Sequence, residues 1–175
     1  MFLVGAWTGL RFSDYSKLTT KNIKGDFLHV TQQKTGGRVT IPLHPTVRAI
    51  FERNGGRPPK GISPQTLNKY LKEIAKAAGF MGYVEKVSTK GGKRVTERFE
   101  KWERVTSHTA RRSFATNLYK ADFPAESIMQ ITGHKTQKAF LTYLKLDAME
   151  HAKKLQLHWQ KRSVTPLFPR KDETG

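Results

Sequence analysis

The sequence contains no cysteine, which excludes disulfides, thiolate nucleophiles and cysteine-ligated zinc, and is compatible with a reducing cytosol. Acidic residues are scarce as well. Asp and Glu total 14 against 32 Lys and Arg, and they are scattered, with no acidic cluster of the kind that holds paired Mg²⁺ ions. No metal and no other cofactor is therefore expected. Long apolar runs are missing too: none approaches the roughly 20 residues that span a bilayer. Lys and Arg are spread along the chain rather than gathered on one amphipathic helix, so a membrane is not an expected partner. The apolar opening Met1-Phe2-Leu3-Val4-Gly5-Ala6-Trp7 lacks the basic segment that begins a signal peptide. It reads as starting inside a helix, as if the chain were cut from something longer.

What is present is positive charge. A formal net charge of +18 makes a domain repel itself, and such an excess is usually kept to attract a polyanion. Nucleic acid is the expected partner, with an anionic membrane surface as the competitor. The pattern along the chain predicts an α+β fold, mainly helical with a small antiparallel sheet. Residues 1–8 read as a buried helix, and Ser13 as the cap of a short second helix through Leu18. Phe27–Thr31 and Arg38–Pro42 read as strands of a hairpin joined through Lys34-Thr35-Gly36-Gly37. Helices are expected from Pro45 to Arg53 and from Ser63-Pro64 to Gly79. The second carries one apolar stripe of Leu67, Tyr70, Leu71, Ile74, Ala75 and Ala78. A very basic hairpin is expected around Lys90-Gly91-Gly92-Lys93. Helices capped by Ser107 and begun by Pro124 follow, then Thr136–Leu144 and Leu146–Gln160.

Some polar residues sit at joints between these elements. Arg11 lies in a turn between two helices, and Asp14 is placed to brace its guanidinium by a bidentate pair. His108 and Arg111, three apart, share a helix face near its N-terminus, a favourable place for a phosphate. His134 follows Gly133 at a helix end, where an imidazole can simply cap carbonyls. Tyr143 lies on an apolar stripe with Phe140 and Leu144. Taken alone, each has an ordinary structural reading: a surface arginine, a basic helix, a core tyrosine. Together they match a demanding chemistry. Cleaving a phosphodiester without metal needs a nucleophile, charge stabilisation on the non-bridging oxygens and an acid for the leaving oxygen. Arginine forks suit the oxygens, and Lys34 on a stiff hairpin suits the acid.

Thr8-Gly9-Leu10-Arg11-Phe12-Ser13-Asp14 resembles the first arginine box of the tyrosine recombinases and phage integrases. Gln33-Lys34-Thr35-Gly36 looks like their hairpin lysine, His108-Thr109-Ala110-Arg111 resembles their His-x-x-Arg box, and Thr132-Gly133-His134 with Tyr143 resembles their Leu-Gly-His box and nucleophile. Ala110 and Thr132 stand where leucine is usual, and both read as packing positions apart from the chemistry. The resemblance implies the catalytic-domain fold of that family and a site-specific recombinase of a mobile element. Tyr143 would form a 3′-phosphotyrosyl link, Arg11 and Arg111 would hold the non-bridging oxygens, and His134 would donate to the phosphate. Lys34 would protonate the 5′-oxygen, His108 would assist proton transfer at Tyr143, and Asp14 would orient its neighbours.

The domain is expected to span 1–162, without the family's N-terminal DNA-binding domain, with a basic hairpin insert at about 82–100 and a mobile tail at 163–175. Lys90, Lys93, Arg94, Arg98 and Arg112 are the candidate DNA-binding residues. The protein is expected to be a monomer alone and a homotetramer on DNA, acting in a prokaryotic cytoplasm. Two other readings stand beside this one: a type IB topoisomerase-like relaxase, and a DNA-binding module without catalysis.

Overall fold

The computed structural model describes residues 1–144 and 146–162; the tail expected at 163–175 lies outside the described residues. Among the described residues, eight α-helices and five strands occur in the order α1 (Phe2–Thr8), α2 (Phe12–Tyr15), β1 (Ile23–Lys24), β2 (Phe27–Thr31), β3 (Arg38–Pro42), α3 (Pro45–Arg53), α4 (Pro64–Ala77), β4 (Tyr83–Lys90), β5 (Lys93–Glu100), α5 (Ser107–Lys120), α6 (Ala125–Thr132), α7 (Gln137–Leu144) and α8 (Ala148–Arg162). Strands β1, β2 and β3 form one antiparallel sheet, and β4 and β5 form a separate two-stranded one.

Apolar packing falls into two clusters. The first gathers Val4, Leu10 and Tyr15 with sheet residues Leu28, Val30 and Ile41, and with Val47 and Phe51 of α3. The alternation of β2, with Leu28 and Val30 inward and its other residues exposed, is what a half-buried strand requires. The second cluster gathers Ala115, Ile128, Phe140 and Leu144 from α5, α6 and α7. Helix α1 packs on α5 and brings the clusters side by side. Gly5 permits that approach: a Cβ there would stand 2.7 Å from the Tyr15 ring and 3.3 Å from Ala110. Ala110 is itself fully buried, and a leucine at either position would force the helices apart.

Several expectations need correction. Ser13 lies inside α2, which is capped by the extended Arg11 and ends at Tyr15, short of Leu18. Ser107 is the first residue of α5, and Thr106 caps it in a reciprocal capping box with Thr109. Strand β1 was not foreseen. The stripe on α4 is also narrower than expected: Leu67, Leu71 and Ala75 are buried, whereas Tyr70 and Ile74 are 49% and 62% exposed. Period-3.6 spacing gives an apolar face, but the neighbours decide how wide a strip is covered.

Candidate active site

A cleft of about 490 Å³ opens where the two clusters meet, and Arg11, Lys34, His108, Arg111, His134 and Tyr143 all line it. They come from five separate parts of the chain. Arg11 precedes α2, and Lys34 rides on the β2–β3 loop. His108 and Arg111 are one turn apart at the start of α5. His134 follows α6, which ends on the left-handed Gly133 (φ 62°). Tyr143 is in the last turn of α7.

Arg111 is buried, and main-chain carbonyls hold it. One guanidinium nitrogen donates to Gly9 O at 2.6 Å, and the other to Thr132 O. Arg11 Nη1 donates to Gln32 Oε1 at 3.0 Å. The expected Asp14–Arg11 pair does not form. Asp14 is buried and instead its Oδ1 accepts the Gln33 backbone N–H at 2.9 Å, which pins the root of the loop that carries Lys34.

Sequence reasoning missed Gln32. Its side chain is 1% exposed and satisfies three partners. Oε1 accepts from Arg11 and, at 2.8 Å, from Thr35 Oγ1, while Nε2 donates to Ile131 O at 2.7 Å. One amide thus ties the first arginine, the lysine loop and the segment leading to His134. Gly133 must remain small beside it, because a Cβ there would collide with Gln32 Oε1, and its positive φ also disfavours any side chain. The only signal in the sequence was a second glutamine beside Lys34, and a polar residue at a strand end is ordinarily solvated. Thr132 was also misread. It is fully buried, and its hydroxyl lies 2.8 Å from His134 Nδ1.

The rings pack closely. His108 meets Tyr143 edge-on at 5.2 Å between centroids, and His134 lies 4.8 Å from it. Burial lowers the pKa of His108, helped by Arg112, Arg111 and Arg11. Burial, Arg111, Arg11 and His108 push His134 down to about 4. Arg111 falls to about 10 through burial and the charge of Arg11, and so stays cationic at neutral pH. Burial raises Tyr143 although Arg111 and Arg112 pull the other way. At pH 7 the cleft therefore holds two guanidiniums, neutral imidazoles and a protonated phenol. Such a site is short of negative charge, and a phosphate would oppose the part of the perturbation on each histidine that comes from the neighbouring cations.

The remaining predicted DNA contacts lie outside this cleft. Arg112 stands over the Tyr143 ring, 5.5 Å from its centroid. Lys90, Lys93, Arg94 and Arg98 are exposed on the β4–β5 hairpin. Lys90 pairs with Glu97 at 3.1 Å, and the Arg98 guanidinium lies 3.8 Å from the centre of the Tyr83 ring. A second groove, about 550 Å³, meets the cleft at His108 and carries Lys72, Lys86, Arg104 and Arg112 together with Glu85 and Glu103. The sequence did not single out the first three, because they are scattered over α4, β4 and the turn before α5. Among the described residues no group of three His, Asp or Glu could hold a metal ion, and no helix is long and apolar enough to cross a membrane.

Comparison with known proteins gives concordant results. The model of the phage integrase family matches residues 1–150. The integrase of Enterobacteria phage P21 is 27% identical over 150 residues, covering 78% of this chain and 37% of that protein. Among solved structures, the fold resembles XerA recombinase (TM-score 0.64, 16% identity, 89% of this chain and 54% of that one). It also resembles the Tn1549 transposon integrase in complex with a circular intermediate DNA (0.60, 16%, 90% and 57%) and a lambda integrase dimer bound to a COC′ core site (0.57, 20%, 82% and 50%). The chain spans little more than a third of the P21 protein and about half of each of these structures. The expected fold is the one these structures share.

Proposed function

Because the chain belongs to the phage integrase family, we propose that it cleaves and rejoins double-stranded DNA as a site-specific recombinase of a mobile element, through a 3′-phosphotyrosyl link to Tyr143. The observation that carries this reading is the convergence of Arg11, Lys34, His108, Arg111, His134 and Tyr143 on one cleft. Its size and charge suit a single phosphodiester.

In this mechanism the phosphate seats between Arg11 and Arg111, whose forks hold its non-bridging oxygens. Tyr143 Oη attacks phosphorus in line, and the bond to the 5′-oxygen breaks. The phenol is protonated at neutral pH and must lose its proton during attack. Neutral His108, edge-on to the ring, assists that transfer. The Lys34 ammonium gives a proton to the departing 5′-oxygen. His134 hydrogen-bonds the phosphate, and Asp14 acts on the loop root rather than on Arg11. The phosphotyrosine conserves the bond energy, so a second 5′-hydroxyl reverses the step with neither ATP nor metal. Exchange of partners then gives recombination.

The wider contacts of the DNA follow from charge. The groove that leaves the cleft at His108 carries the strand's neighbouring phosphates past Arg112. The hairpin cations Lys90, Lys93, Arg94 and Arg98 reach backbone farther out. The protein is a monomer that assembles as a homotetramer on DNA, with the segment from His151 onward linking protomers. Apolar Leu155, Leu157 and Trp159, exposed on α8, support that role. Residues 1–162 form the catalytic unit. The P21 relative, from an enterobacterial phage, supports a prokaryotic cytoplasm as the place of action.

A nicked duplex that traps the adduct tests the reading. On a denaturing gel the parent should give a covalent protein–DNA band, undiminished by EDTA, and Tyr143→Phe should give none while binding DNA as the parent does. Joining of two separate duplexes distinguishes recombination from mere relaxation. An adduct that survives in Tyr143→Phe, or that EDTA abolishes, overturns the mechanism.

A further inference from the structure

Thr132 occupies an unusual position: buried at the end of α6, it touches both a site arginine and a site histidine. Its carbonyl accepts from Arg111. Its hydroxyl lies 2.6 Å from Ile128 O and 2.8 Å from His134 Nδ1. A hydroxyl has one proton to give and lone pairs to receive with. A carbonyl can only accept, so the shorter contact, to Ile128 O, takes the hydroxyl proton. The bond to the imidazole must then run the other way, from Nδ1–H into the threonine oxygen.

We propose that Thr132 is a positioning residue that holds His134 in the Nδ1–H tautomer, leaving Nε2 as the ring's acceptor in the phosphate-free site. A leucine at this position could make neither bond, so the device belongs to the side chain found here. The remaining environment agrees. Arg111 and His108 from α5, Arg11 ahead of α2, Lys34 from the β2–β3 loop and Tyr143 from α7 line the cleft with His134. Burial and the charges of Arg111 and Arg11 disfavour a second proton on the ring and keep it neutral. With Nδ1 already committed to Thr132, Nε2 can donate to a phosphate oxygen only after taking up a proton from solvent. Seating the anion and charging His134 are thereby coupled. The same bond fixes the plane of the ring, so that orientation costs nothing when the phosphate arrives.

The tautomer is independent of the cleavage reading; its use in catalysis rests on that reading. Histidine-¹⁵N-labelled protein, observed by long-range ¹H–¹⁵N correlation near pH 7 without DNA, should show His134 protonated at Nδ1 and bare at Nε2. Thr132→Ser should keep that pattern, and Thr132→Val, which retains the shape, should lose it. On the nicked duplex, Thr132→Val should form the adduct about fivefold more slowly, the fold-change that one ordinary hydrogen bond corresponds to. Its pH profile should be displaced, and Thr132→Ser should restore both rate and profile. Thermal melting of each variant separates this from misfolding. A parent spectrum with the proton on Nε2, or a Thr132→Val spectrum like that of the parent, overturns the proposal. Should the parent form no adduct at all while the spectra come out as expected, the tautomer stands and the cleavage reading falls.

Discussion

The two β-hairpins are made of similar material, yet only one enters the site. Both are antiparallel, both are basic, and both turn through a Gly-Gly pair. The β2–β3 loop is held from beneath. Gln32 fastens it to Arg11 and Ile131, Asp14 takes the Gln33 N–H, and Gln33 Nε2 donates to Ser13 O at 2.9 Å. Its lysine therefore faces the cleft. The β4–β5 hairpin has exposed residues along most of β4 and half of β5, and near its tip the Lys90–Glu97 pair joins one strand only to the other. An exposed pair of that kind contributes about 0–1 kcal/mol, and a two-stranded hairpin is marginal by itself. Position in chemistry comes from what anchors a loop; charge at its tip only sets what the loop attracts.

The comparison can be broken most sharply at Lys34. If its ammonium is the acid, Lys34→Ala should slow cleavage by roughly 10²–10⁴-fold. A substrate with sulfur in place of the 5′-oxygen, which leaves readily without a proton, should recover most of the loss. Failure of that rescue would reduce Lys34 to an electrostatic contact. Next in size is Gln32→Ala. It leaves buried partners unsatisfied, at about 1–3 kcal/mol, and releases Arg11 and the loop together. Adduct formation at saturating DNA should fall by about tenfold or more, with DNA affinity changed far less. The smallest effect is expected on the other hairpin. Replacing Lys93 and Arg94 by alanine should leave the rate at saturating DNA intact, and flatten the dependence of log affinity on log salt by about 0.9 per lost phosphate contact. A lowered rate at saturation would mean that this hairpin, too, takes part in the chemistry.

How far the sequence could be read follows the same division. The β2–β3 pair was legible from period-2 alternation and turn residues, both local signals. The shared face of His108 and Arg111 followed from a three-residue spacing on one helix. Arg11 and Tyr143 stood out through their place in the family's boxes. The internal scaffold of the site was not legible, because it rests on contacts between distant residues. Gln32 meets Ile131 ninety-nine positions along the chain, and Arg111 reaches Gly9 across 102. No periodicity records such pairings. Asp14 shows the same limit: its proximity to Arg11 in sequence suggested a pair, and the fold gave its carboxylate a backbone N–H instead. Thr132 was taken as packing because leucine is usual there, yet the hydroxyl that leucine lacks is what touches His134.

Arg111 joins the first core, through Gly9, to the end of α6 in the second, through Thr132. The carbonyls that aim its guanidinium exist in that arrangement only when both halves have docked. A chain with one half still loose would lack the anion seat as well as the seam. In the proposed reaction the phenol would thus be safeguarded by construction: an unfinished or partly melted molecule would lack the aimed Arg111 half of the arginine pair that grips the phosphate, and with it the means of nicking DNA.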